Sequence, residues 1–139
     1  MSNQKRAIVT DKAPLLQPPQ FPFSQAIVHN GMVFCSGNIG MDPSSKTLIE
    51  GAVGDRTVRA DSPKEAQALR NLSAVLEAAG SSLKNIVKAN IYLTTMENFQ
   101  AMNKAYAEFF EEPLPARTCV AVKELPLGTD VEIECIAHL

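Results

Sequence analysis

The stretch EPLPARTCVAVKELPLGTDVEIECIA, residues 112–137, contains two strand-like apolar alternations joined by the turn sequence LPLGTD. Successive side chains of a strand point to opposite faces, so Arg117 shares a face with Cys119, and Glu132 shares a face with Glu134. We expect the turn to pair the two strands, which would bring the Arg117 guanidinium close to a carboxylate across the ladder. An arginine within such a strand needs an acidic partner.

Two interpretations of this pair remain open from the residues alone. Arg117 and Glu132 could form a cross-strand ion pair with no further role. Alternatively, the planar guanidinium could grip a substrate carboxylate through two hydrogen bonds while a partly buried Glu132 holds and activates a water. The rigid segment PLPA before Arg117 would fix the direction of that side chain, which favours the second interpretation.

The first third of the chain predicts strands. KRAIVT (5–10) predicts a short edge strand, and the proline-rich segment after it predicts an ordered extended loop. Asn30-Gly31 lies between two apolar runs and is the pair that best accepts the positive φ angles of a type I′ turn, so a β-hairpin is expected there. Its second arm ends in Ser36-Gly37, where a glycine permits close approach of the backbone to another group.

Two helices and one further strand follow. The segment 62–80 predicts a helix with Ser62 as N-cap, Glu65 completing a capping box and Gly80 ending it. NIVKANIYLTT (85–95) predicts a strand with Val87, Ala89, Ile91 and Leu93 on one face. MENFQAMNKAYAEFFEEP (96–113) predicts a second helix that Pro113 ends, with Asn103 beside its apolar stripe, where it could fix a loop or touch a neighbouring chain.

These elements predict one α+β domain over residues 1–139, with both helices on one face of a mixed sheet. The segments MVFC, VKANIYL and IECIA carry apolar or small residues on both sides, and nothing in the chain is left to cover the second face. An exposed apolar sheet of that size would aggregate unless other copies buried it, so a cyclic homo-oligomer is expected.

Composition excludes several function classes. The net charge of -2 and pI near 5.7 give no basic field for a phosphate backbone, which disfavours nucleic acid as a partner. No apolar run is long enough for a membrane span, and the N-terminal residues lack a signal-peptide block, so we expect no membrane association and a cytoplasmic location. Peroxisomal and mitochondrial locations stay as alternatives, the first because Ala137-His138-Leu139 loosely resembles a peroxisomal address.

The cysteines and histidines point to no metal or covalent chemistry. Three cysteines form an odd set without metal-ligand spacing, which disfavours both a disulfide framework and a zinc site. Cys35 and Cys135 are expected to be small buried hydrophobes, whereas Cys119 is a candidate for lining a site beside Arg117. His29 and His138 have no serine or cysteine partner nearby in sequence.

The chain resembles a known family, the YjgF/RidA enamine/imine deaminases, over nearly its whole length. The signature is PAR, a small residue and Cys, followed after an interval by EIE. The stretches that carry the resemblance are PFSQAI (22–27), FCSGNIG (34–40), NLSAVLEAAGSSLKNIVKANIYLT (71–94), FQAMNKAYAEFF (99–110), PARTCVAV (115–122) and VEIECIA (131–137).

The resemblance implies a chorismate-mutase-like fold in a homotrimer, with three sheets around a central β-barrel and three sites in the clefts between subunits. It implies hydrolysis of 2-aminoacrylate-type enamines or their imine tautomers, such as 2-iminopropanoate and 2-iminobutanoate, to 2-oxo acids and ammonia without metal or organic cofactor. Arg117 then matches the residue that binds the substrate carboxylate, and Glu132 the residue that orients the attacking water. Ser36, Gly37 and Cys119 match site-lining positions, and Asn103 matches an asparagine of the cleft.

One position departs from the family pattern. Phe23 stands where the best-known deaminases carry a tyrosine, so the aromatic wall is kept and a hydroxyl is lost. This implies reduced activity or a preference for bulkier, more apolar imines. An alternative function from another class is a non-catalytic trimer that binds a 2-oxo acid or a protein partner, as a sensor, translation regulator or chaperone-like protein.

Overall fold

The computed structural model describes residues 4–16, 18, 20–50 and 63–139, with side chains of the first helix described from residue 66. Its elements form one six-stranded mixed sheet and two α-helices, in the strand order β1-β2-β3-β6-β4-β5. The strands and helices, in chain order, are β1 Arg6–Ile8, β2 Ala26–His29, β3 Met32–Asn38, α1 Pro63–Ala78, β4 Ile86–Leu93, α2 Phe99–Ala107, β5 Ala116–Ala121 and β6 Val131–His138.

The predicted turn at Asn30-Gly31 and the predicted helix end at Gly80 are confirmed. Asn30 and Gly31 have φ angles of 50° and 75° and join β2 to β3 in an antiparallel hairpin. At the end of α1, Gly80 has a φ of 87°, and the N–H groups of Gly80 and Ser81 donate to the carbonyls of Glu77 and Leu76. These two bonds satisfy carbonyls that the helix end would otherwise leave unpaired. The predicted cap residue Ser62 and the side chain of Glu65 lie outside the described residues.

The predicted face of Val87 and the predicted end of the second helix are wrong. Val87 is 43% exposed, because an irregularity in the pairing between Ile86 and Lys88 shifts the alternation and buries Ile86 instead. The helix α2 ends at Ala107 and does not continue to Pro113. Phe109 and Phe110 lie beyond its end and pack partly buried against the core, so the chain leaves the helical path in order to bury these rings.

The predicted pairing of the last two strands is also wrong. Strand β5 pairs with β4 in parallel, and β6 lies between β3 and β4, antiparallel to both. The reason is burial: alternate residues of β6 are almost fully buried, which requires a central position, whereas β5 is largely exposed and forms an edge. A parallel β4–β5 pair needs a crossover connection, and α2 supplies it.

The described helices cover one face of the sheet and leave the other uncovered. The helices pack on the face that carries Ala89, Ile91, Ile133 and Cys135, and these side chains join the buried residues of α1 and α2 in one core. No described element covers the opposite face, here called the open face, where Phe34 is 44% exposed. None of the helices that the structure describes is both long and apolar enough to cross a membrane.

Candidate active site

Arg117 lies on the helix face of the edge strand β5, directly opposite Ala89 of β4. Its Nη2 donates a 2.6 Å hydrogen bond to Oδ1 of Asn103, and its guanidinium carbon lies 4.9 Å from the ring centroid of Tyr106 and 5.8 Å from that of Phe99. Among the described residues, no carboxylate lies within ion-pair distance of this guanidinium. Arg117 and Glu132 therefore form no ion pair within the chain, and the interpretation that they pair across strands is wrong.

The helix α2 positions these three partners together. Phe99, Asn103 and Tyr106 are spaced by four and three residues, which places them on one side of an α-helix. The sequence placed Asn103 beside the apolar stripe of this helix, but it singled out neither Phe99 nor Tyr106 as a site residue. Their common side of α2 could have linked them to Arg117. The chain crosses from β4 to β5 through α2, which places this helix against the edge strand.

Cys119 lies two residues beyond Arg117 on the same face of β5, opposite Ile91, and is half-buried. Burial raises the pKa of its thiol, and the positive charge of Arg117 opposes that change only in part. The thiol is therefore neutral near pH 7, which suits a lining role and does not suit a nucleophile. We call Arg117, Asn103 and Cys119 the arginine group.

Glu132 lies on the open face, in register with Tyr92 of β4. Burial raises the pKa of its carboxyl group, and the neighbouring Glu134 raises it further. Glu134 is itself held in place, because Tyr92 Oη donates to its Oε1 at 2.5 Å and Asn90 Nδ2 donates to the same oxygen at 3.3 Å. Glu132 is thus a partly buried carboxyl group on this face whose pKa is raised.

Gly37 provides the space that the Glu132 carboxyl group occupies. A Cβ atom built at Gly37 would lie 2.9 Å from Glu132 Cδ and closer still to Oε1, so a side chain at this position would displace the carboxyl group. This contact occurs where the β3–β6 register shifts between Cys35 and Asn38. The glycine predicted to permit close approach thus approaches Glu132 of the same chain.

Ser36 connects this region to the segment that carries Phe23. Ser36 Oγ donates a 2.6 Å hydrogen bond to the carbonyl of Ser24, and the Ser36 N–H donates to the carbonyl of Gln25. Phe23 precedes Ser24 and is 51% exposed. We call Glu132, Gly37 and Ser36 the glutamate group; Phe23 lies in the loop before β2 and is linked to this group through the neighbouring Ser24.

The candidate residues therefore form two groups on opposite faces of one sheet. Within a single chain, the expected juxtaposition of Arg117 and Glu132 across a ladder does not occur, because β4 lies between β5 and β6 and the two side chains point to different faces. Two surface cavities, of about 260 and 550 Å³, are lined by residues outside both groups. Each group alone offers half of the chemistry predicted from the sequence.

This chain is similar in sequence and in fold to known proteins. A family model described as Endoribonuclease L-PSP matches residues 14–139. Protein mmf1, mitochondrial, from Schizosaccharomyces pombe is 50% identical over 119 residues, which are 84% of this chain and 67% of the relative. The Homo sapiens protein named 2-iminobutanoate/2-iminopropanoate deaminase is 37% identical over 133 residues, which are 96% of this chain and 89% of that protein.

A solved structure of Escherichia coli TdcF with bound serine is 31% identical, has a TM-score of 0.81, and is matched over 96% of this chain and 98% of its own. Its similarity extends across the strands and helices that carry both groups. Because the family match covers all but the first 13 residues of the chain, this protein belongs to the family described as Endoribonuclease L-PSP, which is the YjgF/RidA family.

Proposed function

We propose that this protein is an enamine/imine deaminase that hydrolyses 2-aminoacrylate-type intermediates to 2-oxo acids and ammonia. The observation that carries the proposal is the environment of Arg117: a half-buried guanidinium oriented by Asn103 and two aromatic rings, with no carboxylate partner among the described residues. A cation held in this way is suited to bind the carboxylate of a small ligand. The names of the human relative and of the serine-bound TdcF structure support a ligand of this class.

We further propose that each site is built from two copies of the chain. The arginine and glutamate groups face away from each other within one chain, while the open face exposes apolar side chains such as Phe34 and Val120. Burying that face against another copy removes exposed apolar surface and brings the glutamate group of one copy towards the arginine group of the next. A homotrimer around a central barrel, as the family resemblance implies, closes this arrangement.

In the proposed reaction, Arg117 binds the substrate carboxylate and fixes the imine carbon beside a water held by Glu132. Glu132 accepts a proton as the water oxygen bonds to that carbon, and the C=N electron pair moves to nitrogen. That proton passes on to the nitrogen and gives a neutral carbinolamine. The carbinolamine hydroxyl proton then moves through Glu132 to the same nitrogen, the C–O bond becomes the carbonyl of the 2-oxo acid, and the C–N bond breaks to release ammonia. An imine carbon is already electrophilic, so binding and orientation remove much of the barrier.

A complementation experiment tests this proposal. Arg117→Ala and Glu132→Gln chains with different affinity tags are co-expressed, and trimers carrying both tags are purified. Every such trimer has two chains of one kind and one of the other, so cyclic symmetry leaves one site with both residues intact. We expect about a third of wild-type turnover from the mixed trimers and almost none from either parent.

The assay couples a serine or threonine dehydratase to the purified protein and follows 2-oxo acid release while semicarbazide competes for the imine. Doubly tagged trimers in which both chains carry Arg117→Ala are the matched control and should remain inactive. Mixed trimers as inactive as their parents would contradict a site shared between copies. A wild-type protein that does not exceed the no-protein rate would contradict the deaminase function itself.

Gly37→Ala is expected to lower kcat by about 10- to 100-fold, because the new Cβ displaces the Glu132 carboxyl group from the position in which it holds water. The exposed Gly128→Ala variant controls for general effects of adding a methyl group, although its positive φ of 69° makes a small loss of stability there expected. Unchanged kcat in Gly37→Ala, with unfolding curves matching wild type, would show that the Glu132 position does not matter for turnover.

The compartment stays a prediction. Ala137 and His138 belong to β6, Ala137 is fully buried, and the Leu139 N–H donates to the carbonyl of Gly31 at 2.9 Å. Ala137 and His138 are thus part of the sheet and Leu139 is hydrogen-bonded to the β2–β3 turn, which supports a structural role for the tripeptide. The Schizosaccharomyces pombe relative is mitochondrial by name, which fits the mitochondrial alternative to our proposed cytoplasmic location.

A further inference from the structure

Tyr106 makes its contact with Arg117 through the face of its ring. The guanidinium carbon lies 4.9 Å from the ring centroid, a distance at which a cation is attracted to the electron-rich face of an aromatic ring. Phe110 stacks on Tyr106, with ring centroids 4.3 Å apart and an interplanar angle of 28°. The Tyr106 ring is therefore fixed from a second direction.

The Tyr106 hydroxyl does not explain why this residue lies here. It is buried and has no hydrogen-bond partner among the described residues, which is an unfavourable arrangement for a polar group. Burial raises the pKa of the hydroxyl, so it stays neutral and the ring carries no charge of its own. Tyr106 therefore contributes an uncharged aromatic face that contacts the Arg117 guanidinium.

Phe99 and Asn103 complete the set of contacts that α2 makes with this guanidinium. Phe99 presents a second ring at 5.8 Å, and Asn103 Oδ1 accepts one N–H from Nη2. A guanidinium has five N–H donors, and contacts with ring faces use none of them. The guanidinium thus contacts two rings and one amide oxygen, and Asn103 is the hydrogen-bond acceptor that the described residues provide for its five donors.

We propose that Phe99 and Tyr106 are positioning residues that hold the plane of the Arg117 guanidinium for a planar carboxylate ligand. They act through Arg117 and do not touch the reacting atoms. The inference rests on the proposed function for the identity of the ligand, whereas the fixed orientation of Arg117 is a property of the free protein. Losing a ring should cost binding more than chemistry, because a carboxylate is held alike in the ground state and the transition state.

The experiment compares Tyr106→Leu, Phe99→Leu and Tyr106→Phe with wild type in two measurements. The first is KM and kcat in the dehydratase-coupled assay; the second is the NMR order parameter of the Arg117 Nε–Hε group without ligand. Phe109→Leu makes the same aromatic-to-leucine change just beyond α2 without removing a ring from Arg117. Unfolding curves of all variants confirm that each is folded.

For Tyr106→Leu we expect KM to rise about 3- to 30-fold, kcat to change less than about twofold, and the order parameter to fall below about 0.6. Phe99→Leu should show the same changes to a smaller degree, because its ring is farther away. Tyr106→Phe keeps the ring and should restore both values to within about twofold of wild type. Phe109→Leu should change neither quantity.

An unchanged order parameter or an unchanged KM in folded Tyr106→Leu would overturn the proposal, and so would failure of Tyr106→Phe to restore them. If wild type shows no deaminase activity, the proposed function fails, and the order parameter of free Arg117 still decides whether these rings orient it. Should Tyr106→Leu not fold, Phe99→Leu supplies the same two readouts from a residue that is only partly buried.

Discussion

Arg117→Ala is expected to lower kcat/KM for the dehydratase-derived imine by about 10²- to 10³-fold, because it removes two charge-assisted hydrogen bonds to the substrate carboxylate. The fold should survive this change. No described carboxylate is paired with Arg117, so its loss leaves no buried charge without a partner, and only the Asn103 amide oxygen loses its donor. Arg117→Lys keeps the charge but not the planar fork, and should fall between wild type and Arg117→Ala.

The matched control is Arg70→Ala, since Arg70 is exposed on α1 and belongs to neither group. Unfolding in urea, assay kinetics and calorimetric binding of 2-oxobutanoate are measured on all three variants. Wild-type kinetics in folded Arg117→Ala would mean that this guanidinium does not bind substrate. That result would also remove the observation on which the proposed function depends.

Glu132→Gln is expected to lower kcat by about 10²- to 10⁴-fold while the affinity for 2-oxobutanoate stays within about threefold of wild type. The amide keeps the shape of the side chain but cannot accept a proton from water. Burial and Glu134 raise the pKa of the Glu132 carboxyl group. Because the base is the unprotonated form, wild-type kcat should fall as the pH is lowered through this raised pKa, and so at a higher pH than for an ordinary glutamate.

Glu124→Gln, in the exposed turn before β6, removes one carboxylate without touching either group and should match wild type. This pair of variants also separates the enzyme from the alternative function. A non-catalytic 2-oxo acid sensor would bind 2-oxobutanoate with wild-type affinity in both variants and show no turnover even in wild type. Full turnover in Glu132→Gln would instead assign proton transfer to a different group.

Several features could be predicted from the sequence because short-range stereochemistry determines them. Asn30-Gly31 and Gly80 adopt positive φ angles where the turn and the helix end require them. Alternation within β5 correctly placed Arg117 and Cys119 on one face, and alternation within β6 placed Glu132 and Glu134 together. The end of α2 was missed because burial of Phe109 and Phe110 overrides the helical pattern.

The sequence by itself determined which side chains share a face within each strand, since the backbone alternates with a period of two. It did not determine how the faces of different strands relate, because that depends on which strands pair and in which direction. Only the tertiary structure placed β6 in the centre of the sheet, where its buried residues are covered, and left β5 at the edge. Burial of apolar side chains over the whole core favours this strand order. The strand order in turn places Arg117 beneath α2 and Glu132 on the open face.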